Sequence, residues 1–310
     1  MQNLFWKING ETRTLAEKPF QSEAEMEKYI YANQDLLGDI YIIYRQIKTG
    51  QKQGIPDMLG VDQDARICII ELKNQTADED VLPQALGYAI WAETNPDSIK
   101  AIWLESKQKP ENIQIDWDKL DIRLIIVAPS FKNTVSRMAG KIGYPIDLIQ
   151  MKRYSFDDNE FVSLEIVDEP LTPRITTTKG VTSWDWAFYE SEHGQEATAQ
   201  FKQAVESIES LVKKQGWDVV YNINKYYTGF KFGNKVIFSV GWGGTYAWKL
   251  KFKIPKESAV NFKGKNWEFQ IYDDSFGEAI FRPITPKAAD IKELEHFYIE
   301  AYKKVSGTVK

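Results

Sequence analysis

The most constraining feature of the sequence is the segment GIPDMLGVDQDARICIIELKNQ at residues 54–75. Two apolar runs flank the short polar stretch DQDA, a pattern that predicts two β-strands joined by a tight turn. The second run is apolar enough for a buried strand. It nevertheless ends in Glu71 and Lys73, and Asp57 precedes the first run. Burying charged groups costs free energy unless they are paired, so folding alone gives no reason for these three residues.

The spacing of these charges predicts a chemical site. Side chains alternate between the faces of a strand, so Glu71 and Lys73 share one face, and the turn brings Asp57 beside them. Two carboxylates and the carbonyl of Leu72 are oxygen ligands of the kind that Mg²⁺ prefers. Such a metal polarises a phosphoryl group and acidifies a bound water, while Lys73 would position that water or neutralise developing charge. The residues predict metal-assisted phosphodiester hydrolysis; the alternative is a salt-bridged strand end.

The composition excludes several other kinds of site. Cys68 is the single cysteine and His193 and His296 are the two histidines, which excludes an internal disulfide and zinc sites built from Cys and His. We interpret Cys68 as a core residue and His193 as a surface residue. No apolar run approaches the roughly 20 residues of a membrane span, and the start lacks a secretory signal. We therefore expect no membrane association and a cytoplasmic setting.

The segment DEPLTPRITTTKGVTS at residues 168–183 contains two prolines, a glycine and several threonines, which is typical of a linker. We expect a first domain over residues 1–170, a linker over 171–183 and a second domain over 184–310. Residues 1–170 carry 19 Lys and Arg against 28 Asp and Glu, whereas the remainder carries 20 against 16. The opposite charges make the second half the better candidate for contact with a polyanion.

Local patterns predict an α/β (α+β) fold class with an αβββαβ core in the first domain. Its first helix is expected to run from Ser22, an N-cap with Glu25 three residues later, to Gly38. There follow the strands DIYIIYRQI, DMLGVD and ARICIIELK, the helix VLPQALGYAIWAET, the strands KAIWLES and IRLIIVAPS, and the helix NTVSRMAGKIG. The second domain is predicted to be α+β, with an antiparallel sheet of six strands between helices at 194–216 and 287–305.

The opening segment carries a resemblance to a known family. IPD at 55–57 and ELK at 71–73 resemble the two halves of the motif of PD-(D/E)XK nucleases. The succession RQIKTG, GIPDMLGVD, ELK and QALGY, within residues 20–130, is similar to the NucS-like and related restriction-endonuclease-like families. The resemblance implies a restriction-endonuclease-like core that cuts DNA with a divalent metal, Mg²⁺, for which Mn²⁺ is expected to substitute.

The resemblance also implies a set of site residues. Helix-borne glutamates are common metal ligands in this superfamily, which implies Glu23 as a ligand, with Glu27 one turn further along as the alternative. Gln84 and Tyr88 lie one turn apart on the following helix and are expected to support catalysis and to contact DNA, respectively. The implied catalytic residues are Asp57, Glu71, Lys73, Glu23 and Gln84, and the implied metal ligands are Asp57, Glu71, Glu23 and the carbonyl of Leu72.

The second domain contains a basic, aromatic region. Residues 225–265 hold nine lysines and one acidic residue. Lys249, Lys251 and Lys253 line one face of a predicted strand, which suits contact with nucleic-acid phosphates. The alternative is a half-buried strand whose lysines provide solubility or protect an edge. The glycines of GWGGTY at 241–246 would allow close backbone approach to a ligand or a neighbour.

Together these patterns predict a metal-dependent DNA endonuclease. Arg45 and Gln46 are further candidate DNA contacts, although a solvated strand edge explains them equally well. The alternative function is a non-catalytic nucleic-acid-binding or protein-interaction module built on a nuclease-derived core. DNA is the expected partner, and a homodimer is left open because we recognise no dimer motif.

Overall fold

A computed structural model describes residues 4–45, 56–106, 109–110, 113–167, 184–245, 247–285 and 290–307. The chain forms two compact units, the first comprising residues 1–36, 42–106 and 115–181 and the second comprising 37–41, 107–114 and 182–310. The predicted linker at 171–183 lies outside the described residues, so the predicted domain limits stay predictions.

The elements of the first half are short and mostly separated by tight turns. Its described strands are β1 (Phe5–Ile8), β2 (Glu11–Thr14), β3 (Ala16–Glu17), β4 (Ile40–Arg45), β5 (Met58–Asp62), β6 (Ile67–Leu72), β7 (Ile122–Ala128), β8 (Ile146–Phe156) and β9 (Asn159–Ile166). Its described helices are α1 (Glu23–Ala32), α2 (Val81–Thr94), α3 (Pro96–Glu105) and α4 (Asn133–Ala139), with a 3₁₀ helix at Gln34–Leu37.

A mixed sheet forms the centre of the first unit. Within the described residues it has seven strands in the order β3-β8-β7-β6-β5-β4, with β9 paired to β8. The β5 and β6 strands pair antiparallel, and β6 pairs parallel with β7. Every residue of β6 is buried, as expected for a central strand of a parallel region. The predicted hairpin is therefore confirmed, and its buried strand is the one that carries Glu71.

The start of α1 is fixed by its own sequence and by a distant arginine. Ser22 accepts a hydrogen bond from the Glu25 amide, which confirms the predicted N-cap. The Glu25 carboxylate accepts from the Gln21 amide and also from Arg153 of β8, at 2.8 Å. Arg153 donates to the Lys18 carbonyl as well, so this helix is tied to the sheet.

The prediction of a strand at KAIWLES is wrong, because these residues belong to α3 and the segment that follows it. Pro96 begins the helix at a position where its missing N–H costs nothing. Ile99 and Trp103, four residues apart, are buried on one helix face.

The hairpin of β8 and β9 was not predicted; its side chains are mostly only part-buried, so the alternation along it is weak.

The second unit is an antiparallel sheet with helices against one face. Within the described residues it has six strands in the order β10-β11-β12-β13-β15-β14, which confirms the predicted fold class. Its elements are α5 (Trp186–His193), α6 (Gln195–Gln215), β10 (Val220–Ile223), β11 (Tyr227–Phe232), β12 (Lys235–Trp242), β13 (Trp248–Phe252), α7 (Lys256–Ala259), β14 (Trp267–Asp273), β15 (Glu278–Pro283), a 3₁₀ helix at Ile291–Leu294, and α8 (Glu295–Ser306). None of the described helices is long and apolar enough to cross a membrane.

The side chains of β13 alternate between an apolar and a charged face of this sheet. Trp248, Leu250 and Phe252 belong to the hydrophobic core that α6 and α8 cover. Lys249 and Lys251 point to the other side, and Lys249 is only 8% exposed. The lysine face is therefore more buried than a solubilising strand face would be.

Burial lowers the pKa of the Lys249 ammonium. Burial lowers its pKa from the ordinary 10.5 to about 8, and the neighbouring Lys251 charge adds to this, while Glu278 and Asp273 act in the opposite direction. Among the residues that the structure describes, its ammonium forms neither a hydrogen bond nor an ion pair. The charged form of Lys249 therefore works against folding at neutral pH.

We predict that Trp248→Ala destabilises the second unit by roughly 3 to 5 kcal/mol, because a large core side chain is replaced by a cavity. Trp248 is 3% exposed and its ring lies 5.5 Å from that of Trp267. Chemical denaturation followed by fluorescence measures the change. Val220→Ala, at a residue that is 67% exposed, is the matched control and should change stability by no more than about 0.5 kcal/mol. Equal effects of the two substitutions would contradict the assigned core.

We predict a pH-dependent stability difference between Lys249→Met and the wild type. Between pH 8 and 10.5 the unfolded chain holds the Lys249 proton and the folded chain releases it, so wild-type stability rises with pH. Relative to Lys249→Met, the wild type should gain roughly 2 to 3 kcal/mol between neutral pH and pH 10. Denaturation of both proteins across this range measures the gain. Lys213→Met, at an exposed lysine of α6, is the control, and its stability difference from the wild type should not change with pH in this way. A stability difference between Lys249→Met and the wild type that stays constant with pH would refute the prediction.

Candidate active site

The predicted Asp57, Glu71 and Lys73 meet at the carboxyl end of β6. The Leu72 amide donates a hydrogen bond to Asp57 Oδ2 at 2.9 Å, which joins the residue before β5 to the end of β6. Lys73 Nζ donates to Glu71 Oε1 at 2.6 Å. The antiparallel register of the hairpin, with Met58 opposite Ile70, produces this arrangement.

The helix α2 extends the constellation. Lys73 Nζ donates a second hydrogen bond to Gln84 Oε1 at 3.1 Å, and Gln84 Nε2 donates to Tyr88 Oη at 3.0 Å. Gln84 and Tyr88 lie one helical turn apart, so both reach the same side of α2. A continuous hydrogen-bonded chain therefore runs from Glu71 through Lys73 and Gln84 to Tyr88.

The structure distinguishes between the two glutamates of α1. Glu23 Oε1 lies 3.8 Å from Lys73 Nζ, whereas Glu27 Oε1 lies 3.3 Å from the Nε of Arg45. The Arg45 guanidinium also lies 4.8 Å from the centre of the Tyr31 ring. Glu23 thus neighbours Lys73, whereas Arg45 contacts Glu27 and the Tyr31 ring, and the choice of Glu23 as the site glutamate stays a prediction.

Other sequence-predicted residues fall outside this constellation. Gln46 lies outside the described residues. Lys249, Lys251 and Lys253 belong to the second unit, on and just after β13. Cys68, on β6, is buried, which agrees with its interpretation as a core residue.

Sequence reasoning missed Arg153, which ties the segment before α1, and α1 itself, to β8. Its guanidinium lies 4.2 Å from the Phe20 ring centre and hydrogen-bonds to Glu25, from which it is separated by 128 residues. Because α1 also carries Glu23, Arg153 acts indirectly on the site. The sequence around Arg153 contains no motif that would have indicated this partner.

Burial controls the electrostatics of the site. Glu71 is 2% exposed, and burial raises its pKa to about 7, with the Asp57 charge adding to the rise and Lys73 opposing it. Burial alone would lower the pKa of Lys73, but its hydrogen bond to Glu71 and the nearby Glu23 and Asp57 carboxylates raise it instead. The site thus holds a stable ammonium beside a carboxyl group that exchanges its proton near neutral pH.

The donor set fits a hard divalent cation. Glu71 Oε2 is buried and has no hydrogen-bond partner among the described residues, so it is an acceptor that a cation could satisfy. Across the described ranges no group of three or more His, Cys, Asp or Glu side chains is arranged to enclose a metal by itself. Mg²⁺ is ordinarily held by one or two carboxylates, with waters and substrate phosphates completing its shell. Asp57 and Glu71 meet this requirement.

Comparisons with known proteins were made over the whole chain. No protein-family model matches it. Endonuclease NucS from Pyrococcus horikoshii is 29% identical over 123 residues, and endonuclease NucS from Pyrococcus abyssi is 30% identical over 123 residues. Each match covers 39% of this chain and 39% of the relative, so the chain spans about two fifths of the length of these curated proteins.

Solved structures give matches of similar extent. A repair endonuclease from Pyrococcus abyssi matches with 30% identity and a TM-score of 0.27, over 42% of this chain and 48% of that one. EndoMS in its apo form matches with 23% identity and a TM-score of 0.27, over 42% and 46%. EndoMS in complex with dsDNA matches with 28% identity and a TM-score of 0.24, over 41% and 44%. The rest of the chain is unassigned by these matches. Over about two fifths of its length this chain is therefore distantly similar to the NucS endonucleases.

Proposed function

We propose that this chain is a divalent-metal-dependent DNA endonuclease that hydrolyses phosphodiester bonds at the carboxyl end of β6. The observation that carries the proposal is the convergence of Asp57, Glu71 and Lys73 at a buried strand end, where Asp57 accepts from the Leu72 amide and Lys73 donates to Glu71. The distant homology to endonucleases supports the reaction class. The name of one matched structure, a complex of EndoMS with dsDNA, supports DNA as the substrate.

Asp57, Glu71, Glu23 and the carbonyl of Leu72 would hold the metal. When bound there, Mg²⁺ or Mn²⁺ supplies Lewis-acid polarisation of the phosphoryl group and lowers the pKa of a coordinated water. Asp57 is held in place by the Leu72 amide, so its carboxylate is oriented before any ligand arrives. This preorganisation reduces the rearrangement that metal binding would otherwise require.

Lys73 would act directly on the reacting groups. Its ammonium is positioned between Glu71 and Gln84, which leaves its third proton to orient the attacking water or to contact a phosphate oxygen. Gln84 fixes the direction of the ammonium, and Tyr88 fixes the Gln84 amide in turn. Since these groups are preset, Lys73 would stabilise developing negative charge without a reorganisation cost.

Contacts to the DNA backbone are proposed at Tyr88, Arg45, Gln46 and the lysines of β13. The acidic charge of the first half makes cationic contacts from elsewhere necessary, because phosphates repel carboxylates. A homodimer would supply one site for each strand of a duplex and stays a prediction.

The alternative function is a binding or protein-interaction module that keeps the nuclease-derived core without catalysis. The acidic run after Lys73, at Asp78, Glu79 and Asp80, favours this alternative, because it opposes approach of a phosphate backbone. Lys132 lies within 3.7 Å of Asp78 and Glu79 and offsets part of this charge. The intact set of Asp57, Glu71 and Lys73 favours the enzyme.

We predict that Asp57→Asn and Glu71→Gln each lower cleavage at least about 100-fold, because each removes a charged metal ligand while preserving the shape of the side chain. Cleavage of plasmid, branched and single-stranded DNA, with Mg²⁺ or Mn²⁺ and with a chelator, measures activity. Calorimetric titration with Mn²⁺ measures binding, which both variants should weaken. Glu165→Gln, at an exposed residue of β9, is the control and should behave as the wild type. Unchanged turnover in Asp57→Asn would contradict the assignment of Asp57 as a metal ligand. DNA binding by the wild type without metal and without cleavage would favour the non-catalytic binding module.

We predict that Gln84→Ala lowers kcat by roughly 10- to 100-fold while Mn²⁺ affinity changes little, because Gln84 orients Lys73 and is not a proposed ligand. Lys73→Met should lower turnover further and likewise spare much of the metal affinity. Tyr88→Phe removes the hydroxyl that accepts from the Gln84 amide and that is proposed to contact DNA, but it leaves Gln84 in place and should have the smallest effect of the three. Single-turnover cleavage combined with Mn²⁺ calorimetry separates the two properties. A loss of metal affinity in Gln84→Ala as large as in Glu71→Gln would argue against the orienting role.

A further inference from the structure

The second unit contains a buried ammonium that its own residues leave without a counter-ion. Lys249 is 8% exposed and, among the described residues, forms neither a hydrogen bond nor an ion pair. A buried charge without a partner is costly, and natural proteins retain one mainly where it serves a function. Lys249 plays no part in the site proposed for cleavage.

The neighbouring lysines differ from Lys249 in this respect. Lys253 forms an ion pair with Asp39, which belongs to the same unit. Lys251 Nζ lies 3.9 Å from Glu278 Oε2 and 5.9 Å from the centre of the Tyr227 ring. Lys249 is therefore the member of the lysine face whose charge is not offset by an acidic partner at close range.

The carboxylates nearest to Lys249 are engaged elsewhere. Glu278 interacts with Lys251, and Asp273 accepts hydrogen bonds from the backbone amides of Ser275, at 2.9 Å, and Phe276, at 3.4 Å. Both carboxylates act on Lys249 electrostatically but neither reaches its ammonium within 4 Å. The ammonium thus lacks a carboxylate at close range, a position that an external anion would fill.

Glycines of the adjoining hairpin accommodate the lysine stems. Gly241 lies opposite Lys249 in the strand register, and a Cβ atom there would lie 3.5 Å from Lys251 Cε and 3.9 Å from Lys249 Cε. A Cβ atom at Gly243 would lie 3.7 Å from Lys249 Cδ, whereas the Cβ position of Gly244 has no atom of the described residues within 4 Å. The two lysine stems therefore pack against glycine backbone, and among the described residues Gly244 is the uncovered position of this hairpin.

The hairpin is held in place from the other face. His193, interpreted from the sequence as a surface residue, stacks on Trp242 with ring centres 3.7 Å apart. Its Nδ1 lies 2.8 Å from the Thr245 carbonyl oxygen, and the Gly243 amide donates to the Ala247 carbonyl at 2.8 Å. The backbone next to Lys249 is thus fixed before a ligand binds, which favours affinity.

We propose that Lys249, with Lys251 beside it and the glycine hairpin at 241–245, binds a terminal phosphate group. A compact ammonium binds phosphate as a point charge, and glycine backbone permits the close approach that such a group needs. A phosphate monoester carries close to two negative charges at neutral pH and an internal phosphodiester carries one, so the monoester is attracted more strongly to the unpaired Lys249 ammonium. The lysines of β13 were proposed above as contacts to the DNA backbone; this inference goes further, because it assigns them a terminal phosphate as ligand and does not depend on cleavage.

The test uses the full chain and inorganic phosphate as the probe, at pH 7.5 with ionic strength held constant by chloride. We expect saturable binding by calorimetry and a matching rise in the melting temperature of the wild type. Lys249→Met should bind at least about 10-fold more weakly, since it loses the central charge. It should fold at least as well as the wild type, because a buried ammonium is removed. Lys213→Met, an exposed lysine of the same unit, should bind phosphate normally.

Lys249→Arg keeps the charge and should retain more affinity than Lys249→Met. Absence of saturable binding by the wild type up to about 10 mM phosphate, or equal binding by Lys249→Met, would overturn the proposal. The cleavage-defective Asp57→Asn should bind phosphate as the wild type does. Failure of the nuclease assignment and failure of the phosphate site are therefore distinguishable.

The source of the phosphate is resolved by a second arm without divalent metal. A single-stranded oligonucleotide with a 5′-phosphate is compared with the same oligonucleotide carrying a 5′-hydroxyl. A roughly 10-fold preference for the phosphorylated strand that disappears in Lys249→Met would identify a nucleic-acid end as the source. Equal binding of the two strands, together with saturable binding of inorganic phosphate, would identify a small free phosphate compound instead.

Discussion

The hydrogen bond from the Leu72 amide to Asp57 Oδ2 is the contact on which the candidate site depends. It connects the residue that enters β5 with the last residue of β6, so both ends of the hairpin are held at one point. Without it Asp57 would precede the strand at an undefined angle. With it the Asp57 and Glu71 carboxylates and the Lys73 ammonium lie at one strand end, and the hydrogen bonds of Lys73 to Glu71 and Gln84 extend from there.

Holding these charges together is unfavourable in the absence of a ligand. Glu71 is buried beside a second carboxylate, which is why its pKa rises to about 7, and its Oε2 has no hydrogen-bond partner among the described residues. Lys73 offsets part of this repulsion by its hydrogen bond to Glu71. Incompletely satisfied groups of this kind are expected where a binding site is prepared for a charged ligand. Lys249 of β13 in the second unit is the cationic counterpart, because it is a buried ammonium that lacks a close partner among the described residues.

The parts of the structure that could be predicted are those determined by nearby residues. The hairpin, the Ser22 cap and the alternation of β13 follow from patterns a few residues long, and the convergence of Asp57, Glu71 and Lys73 follows from the same patterns. The segment KAIWLES was misassigned because its strand-like composition competed with the Pro96 start and the four-residue spacing of Ile99 and Trp103. The role of Arg153 and the burial of Lys249 depend on packing between distant segments, which no local pattern records.

The tether between Arg153 and Glu25 has a consequence for the order of assembly. Glu25 and Arg153 are 128 residues apart, so α1 cannot be clamped until β8 has been synthesised and has joined the sheet. Contacts between such distant residues form late, because a long loop must close first. The hairpin that carries Asp57 and Glu71 is local and forms early, but Glu23 reaches its position only with the clamp. A nascent chain without β8 therefore lacks this clamp, and the helix that places Glu23 beside Lys73 is not yet fixed to the sheet.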